Sequence, residues 1–384
     1  MTVKNRPARA LRLFHDLEPY FLGGLLDDPL LLVRVRASGR SLLFDCGQLH
    51  HLAKRTLRSI DAVFVTHAHM DHLMGFDHLV RHTHVSPRPL DLFGPPGIAM
   101  RVGHKLAGYD WNLAEAWWRS IFVHEVHKNS IDHYRFAGAR GFTSEFLGSE
   151  PRQDATIYTD RFVSVAARQC DHGLPVLAFR LTEREIFTID PAALAAAGLV
   201  PGPWLRELKG RWRRDALGQA PLTVSSTDGS EVREQTVDDD AALFRRLRTD
   251  RPAASLGYVS DIGFSAANRE RLQELLADTG LLCCECTFLA ADAAKARASN
   301  HLCSSDVNQL AADLRPRVLL AMHLSKAYIH RPYDLYAELT PPAGTRVLRL
   351  PDYLTPRPQL LTEFPPFAPE PTTDEKPYKE HADA

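Results

Sequence analysis

The sequence predicts an α/β protein in which two packed β-sheets carry helices on their outer faces, a four-layer αββα sandwich. Three observations predict it. Hairpin patterns come early in the chain, a strand apolar on both faces follows them, and the later part alternates strands with amphipathic helices.

The elements follow in order. "LLLVRVRASGRSLLFDCG", residues 30–47, alternates apolar and polar residues, turns at Ser38-Gly39 and continues as a second strand that ends at Asp45. "SIDAVFVT", residues 59–66, reads as a strand buried on both faces. "RFVSVAARQCDHGLPVLAFRL" is strand, turn and strand with His172 in the turn, and "SLGYVSDIGF" is a strand ending in Asp261. Helical periodicity marks "SAANRERLQELLA" (265–277) and "SSDVNQLAADL" (304–314), each opened by a serine suited to an N-cap. The strands "GLLCCECTF" and "RVLLAMHLS" follow them. The layout is one domain over residues 1–360 and a Pro-rich, charged and disordered tail over 361–384.

Composition narrows the class. With 384 residues, 45% hydrophobic and 24% charged, the chain has ample material for a globular core. A net charge of −1 supplies no overall basic field for nucleic acid, although a local basic face can hide in a neutral sum. The six cysteines have no regular spacing, and reduced thiols in a cytoplasm fit them better than a secreted disulfide framework. The first residues lack a signal-peptide core, and no apolar run reaches the length of a membrane span.

Chemistry concentrates where the strand 59–66 ends. His67-x-His69-x-Asp71-His72 crowds three imidazoles and a carboxylate into a tight turn, and alternation points His67 and His69 the same way. Each buried polar group left unpaired costs roughly 1–3 kcal/mol. Imidazole and carboxylate are also the groups that zinc takes at about 2.0–2.2 Å, so metal binding removes that cost.

This motif resembles the HxHxDH signature of the metallo-β-lactamase superfamily, whose members hold one or two metals between two sheets. The resemblance implies further ligands at strand ends: His67, His69 and His172 for one metal, Asp71, His72 and His323 for the other, and Asp261 as the bridge. Asp45 resembles the superfamily's early aspartate, which supports the ligands from behind. Zinc suits the histidine-rich set, with manganese as the alternative.

Two further stretches resemble ribonuclease Z, the endonuclease that trims the 3′ trailer of precursor transfer RNA. "GLVPGPWLRELKGRWRRD" is similar to its Gly-Pro segment, associated there with an arm that grips transfer RNA, and places an arm-like insertion near 190–216. "NHLCSSDVNQLA" is similar to the family's histidine segment, with His301 ahead of His323. The resemblance implies hydrolytic phosphodiester cleavage in which Asp71 orients or deprotonates the nucleophile and His301, held by Glu285, protonates the leaving 3′ oxygen. It also implies a homodimer. The chain departs from the family at Cys284-Glu285-Cys286-Thr287 and at Ala327, where an arginine is lost, changes that bear on substrate contacts.

The alternatives are a hydrolase of a small phosphodiester, lactone or thioester, or a metal-binding protein without turnover. The basic run Arg206, Lys209, Arg211, Arg213 and Arg214 is either a solvated face or a phosphate-binding one. The stretch from His104 to His133 reads as a helix packing Trp111, Trp117 and Trp118 into a core, in preference to a stacking platform for bases. His50, His51, His78, His82 and His84 match no ligand position and are expected as surface or structural residues.

Overall fold

The computed structural model describes residues 13–184, 187–229, 231–250 and 253–356; the expected tail at 361–384 lies outside them. The first sheet has eight strands in sequence order: β1 (Leu17–Phe21), β2 (Leu31–Val35), β3 (Arg40–Phe44), β4 (Ile60–Phe64), β5 (Leu90–Gly94), β6 (Ser120–Val126), β7 (Ser130–Ala137) and β8 (Thr143–Pro151). The chain continues through β9 (Thr156–Thr159), β10 (Val163–Asp171), β11 (Pro175–Glu183), β12 (Phe187–Ile189), β13 (Leu222–Thr227), β14 (Val232–Val237), β15 (Arg248–Asp250), β16 (Ser255–Val259), β17 (Leu281–Glu285), β18 (Val318–Met322) and β19 (Arg346–Leu348). The second sheet has seven strands in the order β19-β18-β17-β16-β11-β10-β9.

The pattern of each strand follows from its place. β3 to β6 pair in parallel, as do β16 to β19, and the parallel strands β16, β17 and β18 are buried at every residue because both their faces are covered. One apolar core fills the space between the sheets, with Phe44, Phe64, Phe179 and Tyr258 at its centre, and continues across the second sheet beneath the helices outside it, while a second core, around Leu43, Val63, Leu79 and Val102, lies beneath the helices on the first sheet. Helices Ala266–Leu276 and Ser304–Leu314 contribute Leu272, Leu276, Leu310 and Leu314 to the first of these cores. Helices outside two packed sheets make the expected four-layer sandwich.

Some local expectations need correction. Ser265 caps its helix, accepting from the Asn268 amide, but the second helix is capped by Cys303, not Ser304. Asp306 closes that cap by accepting the Cys303 amide at 2.9 Å, which draws Ser304 into the first turn. The tryptophans expected on a helix lie in the loop 108–119. The preceding helix, Ile98–Ala107, stops at Gly108, and Arg119 bonds to the His84 carbonyl as the chain enters β6. Trp111 and Trp118 still pack against the second core, whereas Trp117 is exposed.

The segment expected as an arm contributes two helices, Pro191–Ala196 and Pro203–Arg213, to a larger inserted unit between the adjacent strands β11 and β16. The β12–β15 pair closes its base, the β13–β14 hairpin and helix Asp240–Leu247 complete it, and it has its own core of Trp204, Leu208, Leu222 and Leu247. Among the described residues, no helix is long and apolar enough to cross a membrane.

Candidate metal centre

Strand ends from both sheets meet at one edge of the sandwich. His67 follows β4, His172 lies in the β10–β11 turn, Asp261 follows β16, Glu285 ends β17 and His323 follows β18. The Leu177 amide bonds to the Thr66 carbonyl at 2.9 Å and ties the two halves of the site together. Behind the motif, Cys46 ties to the short helix Met70–Leu73 and to the chain leaving it: the Cys46 amide bonds to the His72 carbonyl and the Gly75 amide to the Cys46 carbonyl, each at 2.8 Å. A Cβ at Gly75 would lie 1.9 Å from the Gly47 carbonyl oxygen, so only glycine permits this approach.

The structure brings together every residue that the motifs single out. His67, His69, His172 and Asp261 place donor atoms within 4.8 Å of one another, and so do Asp71, His72 and His323. Asp261 faces both sets: Oδ2 is 3.7 Å from His67 Nε2, 3.7 Å from His172 Nε2 and 3.4 Å from His72 Nε2, while Oδ1 is 3.0 Å from His323 Nε2. Two ligands around a tetrahedral ion with bonds of about 2.0–2.2 Å stand about 3.3–3.6 Å apart, so the three Oδ2 spacings of 3.4, 3.7 and 3.7 Å suit coordination better than direct hydrogen bonding, while Oδ1 and His323 stand at hydrogen-bonding distance.

The residues also fit a metal in their unsatisfied atoms. His67 Nε2 and His72 Nε2 are buried without a hydrogen-bond partner, which is costly unless a cation takes their lone pairs. Their other nitrogens are occupied. His72 Nδ1 meets Asp45 at 2.9 Å, His67 Nδ1 meets the Thr66 hydroxyl at 3.1 Å, and His172 Nδ1 donates to the Asn300 carbonyl at 2.7 Å, leaving Nε2 free for the site. Burial, reinforced by His72, lowers the His67 pKa to about 2, which keeps the imidazole neutral. For Asp261 burial acts upward, but His323 and His72 outweigh it and hold the carboxyl well below its ordinary range.

Asp45 supports the motif from behind, accepting from the Thr66 amide (2.7 Å) and the Tyr258 hydroxyl (3.1 Å) besides meeting His72. Both Asp45 and His323 have positive φ, 55° and 61°, strained for non-glycine residues and found here at the site itself. Glu285 is fully buried and accepts from the Ile262 amide (2.7 Å), the Thr287 hydroxyl (2.6 Å) and the Leu302 amide (3.3 Å); His301 Nδ1 lies 3.1 Å away. His301 Nε2 points inward, 3.9 Å from Asp261. Burial works against a proton on His301, but the hydrogen bond and charge of Glu285 raise its pKa above the ordinary value.

Sequence reasoning missed Asp28. A Cβ at Gly47 would touch Asp28 Cβ and the Asp71 carbonyl oxygen, each at 2.8 Å, so Asp28 stands beside the motif. Burial raises its carboxyl pKa against the pull of Lys326, the residue before the departure at Ala327. Its only signal is the Asp-Asp-Pro stretch before β2, which resembles any turn. The basic run does not form one face. Arg211 is committed to Glu207, Asp240 and the carbonyls of Ala220 and Pro221, and Arg213 to Asp16 at 3.3 Å, while Arg206 and Arg214 are exposed and Lys209 half-buried.

A family model described as a beta-lactamase superfamily domain matches residues 40–135, which hold the HxHxDH turn. Ribonuclease Z of Deinococcus radiodurans is 31% identical over 294 residues, spanning 75% of this chain and 83% of that protein. The chain belongs to the ribonuclease Z family. Two further relatives extend the match: ribonuclease Z of Geobacillus kaustophilus at 29% over 298 residues (76% of this chain, 80% of that one), and ribonuclease BN of Cronobacter sakazakii at 26% over 294 residues (74% and 79%). Membership places the chain among metal-dependent hydrolases on the metallo-β-lactamase fold.

Proposed function

We propose that this ribonuclease Z-family chain is an endoribonuclease that hydrolyses a phosphodiester at the 3′ end of precursor transfer RNA. His67, His69 and His172 would hold one divalent cation and Asp71, His72 and His323 the other, with Asp261 between the two sets. The observation that carries this reading is the Asp261 carboxylate, with an oxygen close to donors of each set. Imidazole-rich donors favour zinc, with manganese the alternative. The reading also takes the protein to be cytoplasmic and a homodimer, with residues 1–360 as the hydrolase domain.

When bound, the cation pair supplies Lewis acidity, acidifying water and offsetting the charge that builds on a phosphoryl oxygen. Asp71, partly exposed beside His72 and His323, orients the attacking water and accepts its proton. His301 carries a proton on Nε2 toward the same space and delivers it to the departing 3′ oxygen. Glu285 is a positioning residue: it anchors His301 through Nδ1 and the Asp261 loop through the Ile262 amide. Arg206, Lys209 and Arg214 on the inserted unit contact the phosphate backbone away from the scissile bond.

The test is incubation with precursor transfer RNA and with bis(p-nitrophenyl) phosphate, with and without chelator. Cleavage of both substrates, abolished by chelator, is the expected result. Hydrolysis of the dye alone, with the RNA intact, refutes the transfer RNA reading and leaves a small-molecule hydrolase.

A further inference from the structure

Away from the catalytic cluster, another set of donors converges among the described residues. Glu125 near the end of β6, His127 just beyond it and Asp132 in β7 each place a donor atom within 4.8 Å of the others. Glu125 and Asp132 are register partners across the β6–β7 pair, so their carboxylates leave the same face of the sheet. Like charges directly opposite each other destabilise an antiparallel pair, by up to about 1 kcal/mol. Something of opposite charge is needed between them.

His127 stands there. Its Nε2 is 3.2 Å from Asp132 Oδ2 and 3.8 Å from Glu125 Oε2, shielded from solvent and without a hydrogen-bond partner. The Glu125 side chain is only 9% exposed. One of its oxygens accepts the Ala99 amide at 2.9 Å, in the first turn of helix Ile98–Ala107, and the other faces His127. An imidazolium committed to one carboxylate closes to about 2.7–2.9 Å. Here the nitrogen stands within ion-pair reach of both carboxylates yet makes a hydrogen bond to neither. Ligands of a common ion stand about 3.0 Å apart in octahedral and 3.4 Å in tetrahedral geometry with bonds near 2.1 Å; the Asp132 spacing falls between these, and the Glu125 carboxylate would close by about 0.4 Å to join it.

We propose that Glu125, His127 and Asp132 form a separate site for a divalent cation of the zinc or manganese class, with water in the remaining positions. Such an ion neutralises the opposed carboxylates and closes the β6–β7 hairpin. At the hairpin tip, Lys128 and Asn129 line one pocket with Asp171 and Gly173, the neighbours of His172. The site therefore stiffens one wall beside the catalytic cluster without contributing to its donors.

Equilibrium dialysis of the metal-stripped full chain against Zn²⁺, followed by elemental analysis, tests this. His127→Ala and Asp132→Asn should each bind one equivalent less than wild type, with the rate on a small phosphodiester unchanged. In an Asp261→Ala background, adding His127→Ala should remove one further equivalent, and this arm stands even if the catalytic assignment fails. Equal zinc in wild type, His127→Ala and Asp132→Asn overturns the proposal. A lower thermal midpoint in Asp132→Asn without loss of an equivalent also overturns it, since the group is then an ion pair alone. Asp132→Asn is nearly isosteric and decides the matter should His127→Ala fail to fold.

Discussion

Replacing His301 with alanine separates proton delivery from metal binding. The side chain stands beside the proposed ligands, not among them: Nδ1 is held by Glu285 at 3.1 Å and lies 3.2 Å from the Thr287 hydroxyl, while Nε2 is 3.9 Å from Asp261. After truncation, Glu285 keeps the amides of Ile262 and Leu302 and the hydroxyl of Thr287, so its buried charge stays solvated by the protein and the fold loses little. Metal content should stay at the wild-type level. Turnover of RNA should fall by about 10²–10⁴-fold, the usual contribution of a general acid, equivalent to roughly 3–5 kcal/mol at the transition state. On bis(p-nitrophenyl) phosphate the loss should shrink toward tenfold or less, because nitrophenolate leaves without needing a proton. Metal content, thermal midpoint and both rates are measured on the one variant. Loss of metal, or an equal rate loss on the two substrates, refutes the assignment of His301.

Asp261→Ala should lose more metal than His69→Ala or His323→Ala, since Asp261 places oxygens beside donors of both sets; elemental analysis showing unchanged metal sinks the bridging role. The triple variant Arg206→Ala/Lys209→Ala/Arg214→Ala should lower the salt slope of RNA binding by about 2–3, at about 0.7–0.9 for each phosphate no longer neutralised, and an unchanged slope removes these residues from the interface. Arg211→Ala should instead lower stability by about 3 kcal/mol, because it leaves the fully buried Asp240 without its cation; denaturant melts with an unchanged midpoint contradict this. Excising residues 188–249 with a short Gly-Ser bridge across the β12–β15 base should spare dye hydrolysis and abolish RNA cleavage, and equal survival of both activities removes the inserted unit from substrate binding.

The fold and the candidate site were legible for the same reason. Parallel strands buried on both faces must be largely apolar, so the runs "AVFV" and "VLLAM" stand out, and polar residues at their ends have to face a site. His67, Asp261 and His323 occupy such ends. The helix caps were legible to within one residue. A serine and a cysteine side by side offer the same capping geometry, and only the reach of Asp306 decides for Cys303.

What stayed hidden depends on partners distant in sequence. Arg211 reads as one cation in a basic run, yet it is fixed by Asp240, 29 residues on, so the run could not be sorted into structural and free charges until the inserted unit had folded. Trp111 and Trp118 carry helical spacing, but Gly108 ends the helix and the demand of β6 for an extended lead-in keeps the loop open. Asp28 and Glu125 acquire meaning only through neighbours, Asp71 across the Gly47 contact and Asp132 across a strand pair. Ligand spacing within one turn is a local property that a short motif can carry. Opposition between strands depends on register, which a sequence encodes only in the balance of the whole sheet.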